Sequence, residues 1–515
     1  MIIIVRNSIV LLFFALIGLT VTAQNPFLPP YAFIPDGEPH VFKVGDEERL
    51  FIYGSRDERV TAYCGEGHDV WSAPVNDLTK WTCHGEIFNI KQVQALGYGK
   101  VKDQHFGAPD CVYNPVTKKY YLYTFLGATY KLDGIQGPKK DSVKFSETFG
   151  AFGPKCVMAQ SDSPYGPFTN PVMCDWEVVN AAGTFDPSVV VVTQPDGSVR
   201  VWAYWGMKLG DRWAELNPTD MHTVINSFTR KPDRKSTYKT LNNPALNNNA
   251  TLYEASSIKQ VAKDKFVFIF SPNGKISALT YCYSNSPEGP WTYGGVIINN
   301  NKNYRGANNH GSIVKVKDQW YMVYHRQAPN SYNRQAMIEP IDLRIEGDKV
   351  VIPEVEMTSQ GIFKEGLPYQ KRYYAGIVCH IEGKAYVDGI RRVKDGYNPV
   401  VVDTTGAVLG YKYFNFGTEK LKNLSLVLNA QATNKFNLKI EVMPKGGSKR
   451  IMIGEQEFIP SGKGKSQFVD YKMASIKPDK NLELQQMGGI TGSMAVFLTV
   501  KPAGSKVEMK ELELK

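Results

Sequence analysis

Residues 110–125 read DCVYNPVTKKYYLYTF: an acidic residue, a short apolar strand, a polar turn and an aromatic strand. Four other segments repeat this plan, and they begin at Asp36, Asp186, Glu254 and His310. Short apolar and aromatic runs separated by turn residues are typical of β-hairpins rather than of helices. The pattern therefore predicts an all-β fold that contains five copies of one hairpin unit.

The five units predict a five-bladed β-propeller over residues 24–345. Their first residues lie 56 to 76 positions apart, and loops account for the excess over the ~40–50-residue repeat of common propellers. Further strands follow several hairpins, and the phrases SPYGPF (163–168) and SPEGPW (286–291) resemble each other. A large irregular sandwich is the alternative, but it does not explain this recurrence.

The sequence changes character after the fifth unit. Residues 346–375 are predicted to be a closing segment and linker. From residue 376 to 515 no further hairpin of the repeated type occurs, and alternating strands follow at 408–417, 423–430 and 436–443. This pattern predicts a C-terminal β-sandwich of jelly-roll type.

The composition excludes several classes of protein. Hydrophobic residues make up 43% and charged residues 21% of the 515 residues, which excludes a disordered chain and a highly charged coiled coil. The net charge of +10 is spread along the chain, and the longest basic runs are pairs such as Lys118-Lys119. Because nucleic-acid-binding proteins concentrate positive charge on one patch, we expect no nucleic-acid partner.

The N-terminus predicts export. Arg6 precedes an apolar run over residues 9–19, and Val21-Thr22-Ala23 gives the small-x-small pattern of a cleavage site. Residues 1–23 are therefore interpreted as a signal peptide of a secreted or periplasmic protein. An uncleaved membrane anchor is the alternative, but the run is short for a membrane span. The seven cysteines show no metal-binding spacing, and buried free thiols are expected for most of them.

Four acidic residues are predicted to meet at the propeller axis. In a propeller the first strand of each blade starts near the axis, so Asp36, Asp110, Asp186 and Glu254 would converge although they lie far apart in sequence. Carboxylates in one partly desolvated pocket raise one another's pKa, so that one stays protonated while another stays ionised. Glycoside hydrolysis requires such a division between an acid and a base.

The chain resembles glycoside hydrolase family 43, whose five-bladed propellers hydrolyse arabinose- and xylose-containing glycans with inversion. The resemblance spans residues 25–345 and is carried by motifs in a fixed order. These are Asn25-Pro26, Ile34-Pro35-Asp36, Phe51-Ile52-Tyr53-Gly54-Ser55, Ala108-Pro109-Asp110, Phe185-Asp186-Pro187-Ser188, Glu254-Ala255-Ser256, Asn309-His310-Gly311-Ser312 and Tyr324-His325-Arg326.

The resemblance implies a role for each matching residue. It makes Asp36 the general base, Glu254 the general acid, and Asp186 the residue that orients the acid and maintains its pKa. It places Asp110 near the sugar, and it makes His310 the axial histidine that helps to hold a hydrated calcium ion. Arg326 or Arg334 would bind the sugar hydroxyls, and no organic cofactor is implied.

One departure leaves the identity of the base open. The family usually writes the base as Ala-Asp-Pro, whereas this chain has Pro35-Asp36-Gly37-Glu38-Pro39. Glu38 precedes the proline and is the alternative base, with a place in the substrate-binding set. The hydrophobic pair Val41-Phe42 favours Asp36, because such a pair follows the base at a similar offset in related sequences.

The C-terminal region resembles family 6 carbohydrate-binding modules through Gly406–Tyr411, Phe414–Gly417 and Gly488–Gly492. Tyr397 lies where such modules often carry a sugar-stacking aromatic ring. Taken together, these features predict an exported, inverting exo-glycosidase that acts on plant oligo- or polysaccharides as an arabinofuranosidase or β-xylosidase. A non-catalytic sugar-binding propeller, or a family member that acts on galactan or galactofuranose, is the alternative.

Overall fold

The computed structural model describes residues 24–95, 104–128, 155–174, 176, 184–207, 212–225, 239–240, 251–390 and 398–515. The predicted signal peptide and Tyr397 lie outside the described residues. Within those ranges, no helix has both the length and the apolar character needed to cross a membrane.

Five antiparallel sheets form the first part of the chain, and together they are the predicted five-bladed propeller. The first sheet contains β1 Glu38–Val44, β2 Glu47–Tyr53, β3 Gly67–Pro74 and β4 Thr82–Asn89. The second contains β5 Gln104–Asn114, β6 Lys119–Ala128, β7 Lys155–Ser161 and β8 Thr169–Met173. The third contains β9 Ser188–Thr193, β10 Val199–Trp205, β11 Arg212–Leu216 and β12 Lys239–Thr240. The fourth contains β13 Leu252–Ala262, β14 Lys265–Pro272, β15 Ala278–Ser284 and β16 Thr292–Asn299. The fifth contains β17 Ser312–Val316, β18 Gln319–Gln327 and β19 Arg334–Ile341.

The first strands of the five sheets surround a common axis. Strand β1 lies beside β5 and β17, β9 lies beside β5 and β13, and β13 lies beside β17, so the ring is closed. Apolar clusters fill the space between neighbouring sheets; one of them joins Phe51 and Tyr53 to Leu122 and Val157. Because both faces of a blade are covered by neighbours, the strands are apolar on both sides near the axis, which explains their continuous hydrophobic runs.

The N-terminal segment completes the fifth blade. The side chain of Asn25 donates a hydrogen bond to the carbonyl of Ile338 and accepts one from its N–H, each at 2.8 Å. The N–H of Phe27 donates to the carbonyl of Ala336. Residues 25–27 therefore attach to β19, the last strand of a three-stranded sheet, and join the two ends of the propeller.

The two similar phrases identified in the sequence occupy the same structural position. Each forms the turn between the third and fourth strands of its blade, with Gly166 (φ 72°) and Gly289 (φ 83°) in the left-handed conformation that favours glycine. The aromatic residue that ends each phrase, Phe168 or Trp291, is buried. The recurrence therefore reflects a repeated structural unit.

The C-terminal part is a β-sandwich built from one large, nearly closed sheet of ten strands. A two-stranded sheet, β20 Arg344–Glu346 and β21 Lys349–Val351, precedes it. The strands of the large sheet are β22 Leu367–Pro368, β23 Arg372–Tyr374, β24 His380–Val387, β25 Val400–Asn415, β26 Leu426–Ala432, β27 Phe436–Pro444, β28 Ile451–Phe458, β29 Val469–Lys472, β30 Ser493–Pro502 and β31 Val507–Leu514. They enclose one apolar core that includes Leu409, Phe414, Leu438 and Leu498.

Helices are short in the described part of the chain. The α-helices are α1 Ile90–Gln94 and α2 Leu482–Gln486, and the 3-10 helices are Asn300–Lys302, Ala375–Ile377, Gly462–Lys465 and Pro478–Lys480. All seven cysteines are free thiols, and all except Cys83 are buried. The fold therefore does not depend on disulfides.

Candidate active site

Residues from the five blades form two levels of the axial channel, and most of them are polar. The upper level contains one residue at the start of each blade; these residues are Asp36, Ala108, Asp186, Ala255 and His310. The lower level lies two residues further along the chain in each blade and contains Glu38, Asp110, Ser188, Ser257 and Ser312. Each blade therefore contributes one residue to each level.

The upper level has an unusual backbone. Asp36, Ala108, Asp186 and Ala255 have φ values of 56°, 44°, 49° and 68°. Non-glycine residues in the left-handed region cost of order 1–3 kcal/mol each and cluster at functional sites. The same strained geometry at four blades indicates that the start of each first strand is held in a fixed orientation around the channel.

Asp36 lies on the upper level and is held by three neighbours. Its Oδ1 accepts a hydrogen bond from Nη1 of Arg334 at 2.8 Å and lies 3.3 Å from Nδ1 of His325. Its Oδ2 accepts from the hydroxyl of Ser55 at 2.6 Å. Burial raises the pKa of Asp36, but the positive charge of Arg334 and the contact with His325 outweigh burial and hold the pKa well below its usual range. Asp36 is therefore ionised.

Asp186 lies on the same level and has the opposite electrostatic character. Its Oδ2 accepts a hydrogen bond from the N–H of Ala255 at 2.7 Å. Burial, the neighbouring carboxylate of Glu254 and the charge of Asp36 raise the pKa of Asp186 well above its usual value. Two titrating groups that interact strongly share their protons, so the proton belongs to the Asp186–Glu254 pair.

Glu254 is brought next to Asp186 by the bend that begins β13. It directly precedes Ala255, and the pairing of β13 with β14 shifts register on both sides of Glu254. Its side chain is half-buried, whereas Asp36 and Asp186 are each 4% exposed. The most accessible of the three carboxyls is therefore the one predicted to reach the leaving group.

His310 connects the two buried aspartates. Its Nδ1 lies 3.8 Å from Oδ1 of Asp36 and 3.8 Å from Oδ2 of Asp186. Burial lowers the pKa of His310 to about 4, against the attraction of Asp36. A neutral imidazole at this position separates an ionised carboxylate from a protonated pair and adds no charge.

Of the two candidate arginines, Arg334 is the one at the site. Its guanidinium binds Asp36 and also Asp57, whose two oxygens accept from Nε and Nη2 at 3.0 Å each. Arg326 is fully buried and donates to Gln335 and to the carbonyls of Gly376 and Val378. Arg326 therefore joins the propeller to the segment that follows it, whereas Arg334 contacts Asp36.

Several residues at the site were not assigned a role from the sequence. Ser55 links two blades, because its hydroxyl donates to Asp36 and accepts from the N–H of Ala108. His325 and Asp57 position Asp36 and Arg334. Tyr63 packs under the guanidinium of Arg334 at 4.5 Å and against the ring of Tyr332 at 4.3 Å, which forms an aromatic wall. The sequence motifs that contain Ser55 and His325 do not show what each of these residues does.

The lower level forms a separate polar cluster. Asp110 accepts hydrogen bonds from His40 at 2.8 Å and from the N–H of Val189 at 2.7 Å. Glu38 lies 2.7 Å from Nζ of Lys259 and 3.0 Å from the hydroxyl of Ser257. The expectation that Asp110 and Glu38 bind substrate is not supported by these contacts, because their oxygens are used within the channel. The sequence placed Asp110 level with Asp36, whereas the structure places it level with Glu38.

A calcium ion near His310 would need oxygen ligands. Calcium takes six to eight oxygens, and the upper-level oxygens of Asp36 are already bound by Arg334 and Ser55. On the lower level, one atom each of Glu38, His40 and Asp110 lie within 4.8 Å of one another, a spacing that suits a metal ion. The ammonium of Lys259 contacts two of these three groups, so Glu38, His40 and Asp110 do not fit a metal ion.

Comparisons with known proteins identify the family of the chain. The chain is 30% identical over 399 residues to a xylosidase/arabinosidase of Thermoclostridium stercorarium. The aligned region covers 71% of this chain and 74% of the relative. A solved structure of a family 43 arabinoxylan arabinofuranohydrolase from Bacillus subtilis in complex with cellotetraose aligns at 18% identity with a TM-score of 0.46, over 95% of this chain and 97% of that one.

A second solved structure is a β-xylosidase/α-arabinofuranosidase from a compost microbial metagenome with xylotriose, described as a calcium-free form. It aligns at 21% identity with a TM-score of 0.44, over 64% of this chain and 96% of that one. The family model for glycosyl hydrolases family 43 matches residues 24–348. The chain belongs to glycosyl hydrolases family 43.

Proposed function

We propose that this chain is an exported, inverting exo-glycosidase that releases arabinofuranosyl or xylosyl residues from plant-type glycans. The observation that carries the proposal is the pair of buried aspartates, each 3.8 Å from His310, whose pKa values are shifted in opposite directions. Inverting hydrolysis needs one ionised and one protonated carboxyl. Asp36 supplies the ionised carboxyl, and the Asp186–Glu254 pair holds the proton that Glu254 delivers.

In the proposed mechanism Asp36 is the general base. Arg334 and His325 keep its carboxylate ionised, and Ser55 fixes the orientation of its second oxygen. An ionised carboxylate in this position takes a proton from the attacking water as the water approaches the anomeric carbon. Asp36 is favoured over Glu38 because the ammonium of Lys259 binds Glu38 on the lower level.

Glu254 is the proposed general acid, and Asp186 is the residue that keeps it protonated. Ionised Asp186 beside Glu254 would oppose a second negative charge, so the pair retains a proton near neutral pH. The hydrogen bond from Ala255 fixes Asp186 in this position. Glu254 gives that proton to the leaving oxygen as the glycosidic bond breaks and as the water deprotonated by Asp36 bonds to the anomeric carbon. Solvent water then takes the proton from Asp36 and returns one to the Asp186–Glu254 pair, which restores both groups.

The substrate class rests on the relatives and on the shape of the site. The Thermoclostridium relative is named as a xylosidase/arabinosidase. We assign the terminal sugar to the space beside Arg334, Tyr63 and Tyr332, where an aromatic wall and a guanidinium meet. Hydrolysis of 4-nitrophenyl α-L-arabinofuranoside and β-D-xyloside, compared with the galactoside and galactofuranoside, identifies the sugar.

The leaving-group dependence of variants tests the roles. Glu254→Gln should abolish the hydrolysis of xylan- or arabinan-derived oligosaccharides and retain much more activity on activated aryl glycosides, because only the poor leaving group needs protonation. Asp36→Asn should lower kcat by roughly 10²–10⁴-fold with both substrates, which is the usual contribution of general acid–base catalysis. Equal losses for Glu254→Gln on both substrates contradict the acid role, and a fully active Asp36→Asn moves the base elsewhere.

A sugar-binding protein without catalytic activity is the competing function. It has no need for two buried carboxyls with opposed protonation, so the geometry favours the enzyme. Export depends on the predicted signal peptide at residues 1–23, and cleavage before Gln24 is checked by N-terminal sequencing of the protein secreted by cells. Glycan binding by the C-terminal β-sandwich remains a prediction, and affinity electrophoresis of the full chain on arabinoxylan tests it.

A further inference from the structure

We propose that the ammonium group of Lys259 is the resident cation of the axial channel and takes the place that a divalent metal ion would occupy among Glu38, His40 and Asp110. The proposal concerns the channel below the candidate active site and does not depend on which sugar the enzyme releases. It differs from the expectation of a calcium ion held through His310.

The three groups have the composition of a metal site. One atom each of Glu38, His40 and Asp110 lie within 4.8 Å of one another, and they belong to two different blades. Two carboxylates and one imidazole form a ligand set that binds divalent transition metals as well as harder cations. Glu38 and Asp110 are 3% and 1% exposed, so two negative charges at this depth need a positive partner.

Lys259 supplies that partner from a third blade. Its Nζ lies 2.7 Å from Oε1 of Glu38, 3.2 Å from the carbonyl of Pro39 and 3.2 Å from Nε2 of His40. The side chain reaches the channel from β13, and it is 14% exposed. A metal ion in contact with Glu38 and His40 would therefore stand beside the ammonium, and the repulsion of the two cations would oppose its binding.

The hydrogen bonds of the cluster are consistent with a lysine in this role. Nε2 of His40 lies 2.8 Å from Asp110 and 3.2 Å from Lys259, and one ring nitrogen cannot donate to the first and accept from the second. Assigning the ring proton to the Asp110 bond leaves the ammonium hydrogens for Glu38 and the Pro39 carbonyl. Every strong acceptor of the cluster then has a donor that belongs to the chain.

The chain also connects this cluster to the upper level. The hydroxyl of Ser257 lies 3.0 Å from Glu38 and 2.7 Å from the hydroxyl of Ser312, which is two residues beyond His310. Ser188, two residues beyond Asp186, lies 3.3 Å from Asp110. The ammonium of Lys259, on the lower level of the channel, therefore holds the strands that carry the three predicted catalytic carboxyls in register with one another.

The experiment compares the wild-type chain with Lys259→Met at pH 8 by thermal unfolding and by calorimetric titration with CaCl₂, MnCl₂ and ZnCl₂. The wild-type melting temperature should not change on treatment with EDTA or on addition of any of these salts. Lys259→Met should melt several degrees lower, bind one divalent ion per chain, and recover its melting temperature when that ion is present.

Two further variants keep the test decisive. The double variant Lys259→Met/Glu38→Gln lacks the carboxylate that Lys259→Met leaves without a partner, so its melting temperature without metal should be higher than that of Lys259→Met. It should bind no divalent ion. The double variant gives this result even if Lys259→Met folds poorly. Lys119→Met is the matched control, because its ammonium pairs with the exposed Asp162, and it should behave as wild type. The proposal is overturned if the wild type binds calcium stoichiometrically or if EDTA lowers its melting temperature. It is also overturned if Lys259→Met neither loses stability nor binds metal.

Discussion

Arg334 and Asp36 lie 298 positions apart in the chain and form a buried ion pair of 2.8 Å at the axis of the propeller. The same guanidinium binds Asp57, so a single arginine side chain holds two carboxylates from the first blade. Removal of one partner of such a buried pair leaves an uncompensated charge and costs about 3–5 kcal/mol. This pair connects the last strand of the propeller to the beginning of the first.

Replacement of Arg334 should change the pH dependence of activity. In Arg334→Gln the burial of Asp36 is no longer opposed by a positive neighbour, so the pKa of Asp36 should rise. We expect the acid limb of the kcat/KM profile to move to higher pH and kcat at neutral pH to fall by at least about tenfold. Arg344→Gln, at an exposed arginine paired with Asp342, is the control. An unchanged acid limb would show that Arg334 does not set the ionisation of the base.

The stereochemistry of hydrolysis should be inverting. If Asp36 activates a water molecule and Glu254 protonates the leaving group, the released sugar appears first with the opposite anomeric configuration to that of the substrate. Proton NMR of the anomeric signals during the first minutes of reaction measures this outcome before mutarotation. A first product that keeps the substrate's configuration would require a covalent intermediate and would exclude the proposed roles.

Glu38 should make stability decrease as the pH rises. Burial and the carboxylate of Asp110 raise the pKa of Glu38 from 4.5 to about 7, although Lys259 opposes the shift; His40 also contacts this cluster. Because the folded state then binds the proton more tightly than the unfolded state, the contribution of Glu38 is full below about pH 4.5 and is lost as the pH rises through 7.

Thermal unfolding of wild type and Glu38→Gln between pH 4.5 and 8 tests this. The melting temperature of the variant relative to wild type should rise across the window from pH 4.5 to 7 and level off above it. Glu47→Gln is the control, because Glu47 is an exposed glutamate on the same blade. A difference between wild type and Glu38→Gln that does not vary with pH would contradict the raised pKa.

The C-terminal part of the chain supports the loop that carries Arg334. The side chain of Asn333 donates to the carbonyl of Gly389, and Asn330 binds both the N–H of Gly389 and the carboxylate of Asp388. A Cβ atom on Gly389 would lie 2.2 Å from Oγ of Ser331 and 2.5 Å from Cβ of Ala328. This close approach leaves no space for a side chain.

Gly389→Ala should therefore displace the 328–334 loop. We expect a loss of about 1–3 kcal/mol in unfolding free energy, as for other overpacked sites, and a fall in kcat larger than the change in KM. Ile390→Ala is the matched control at the next position, where the side chain is 52% exposed, and it should leave both quantities unchanged. If Gly389→Ala has wild-type stability and kcat, the contact does not support the site.

The sequence by itself determined the architecture. The hairpin that begins at Asp110 and its four relatives predicted an all-β chain with five blades, because alternation of apolar and aromatic strands is a local property that each segment carries in its own residues. Four motifs predicted which residues lie at the start of the first strands: those around Asp36, Asp186, Glu254 and His310. The change to alternating strands after residue 376 predicted a second β-domain.

Only the tertiary structure decided how those residues are arranged around the axis. Asp36 and Glu38 are two positions apart in the chain, so the sequence could not tell which of them lies beside His310 and which beside Lys259. Asp110 and Asp36 begin similar hairpins, yet they lie on different levels, because Ala108 occupies in the second blade the place that Asp36 has in the first. The choice of Arg334 over Arg326, and the positive charge that Lys259 supplies, both depend on contacts between blades. The residues that make these contacts lie far apart in the chain, so no local sequence pattern predicts that they meet.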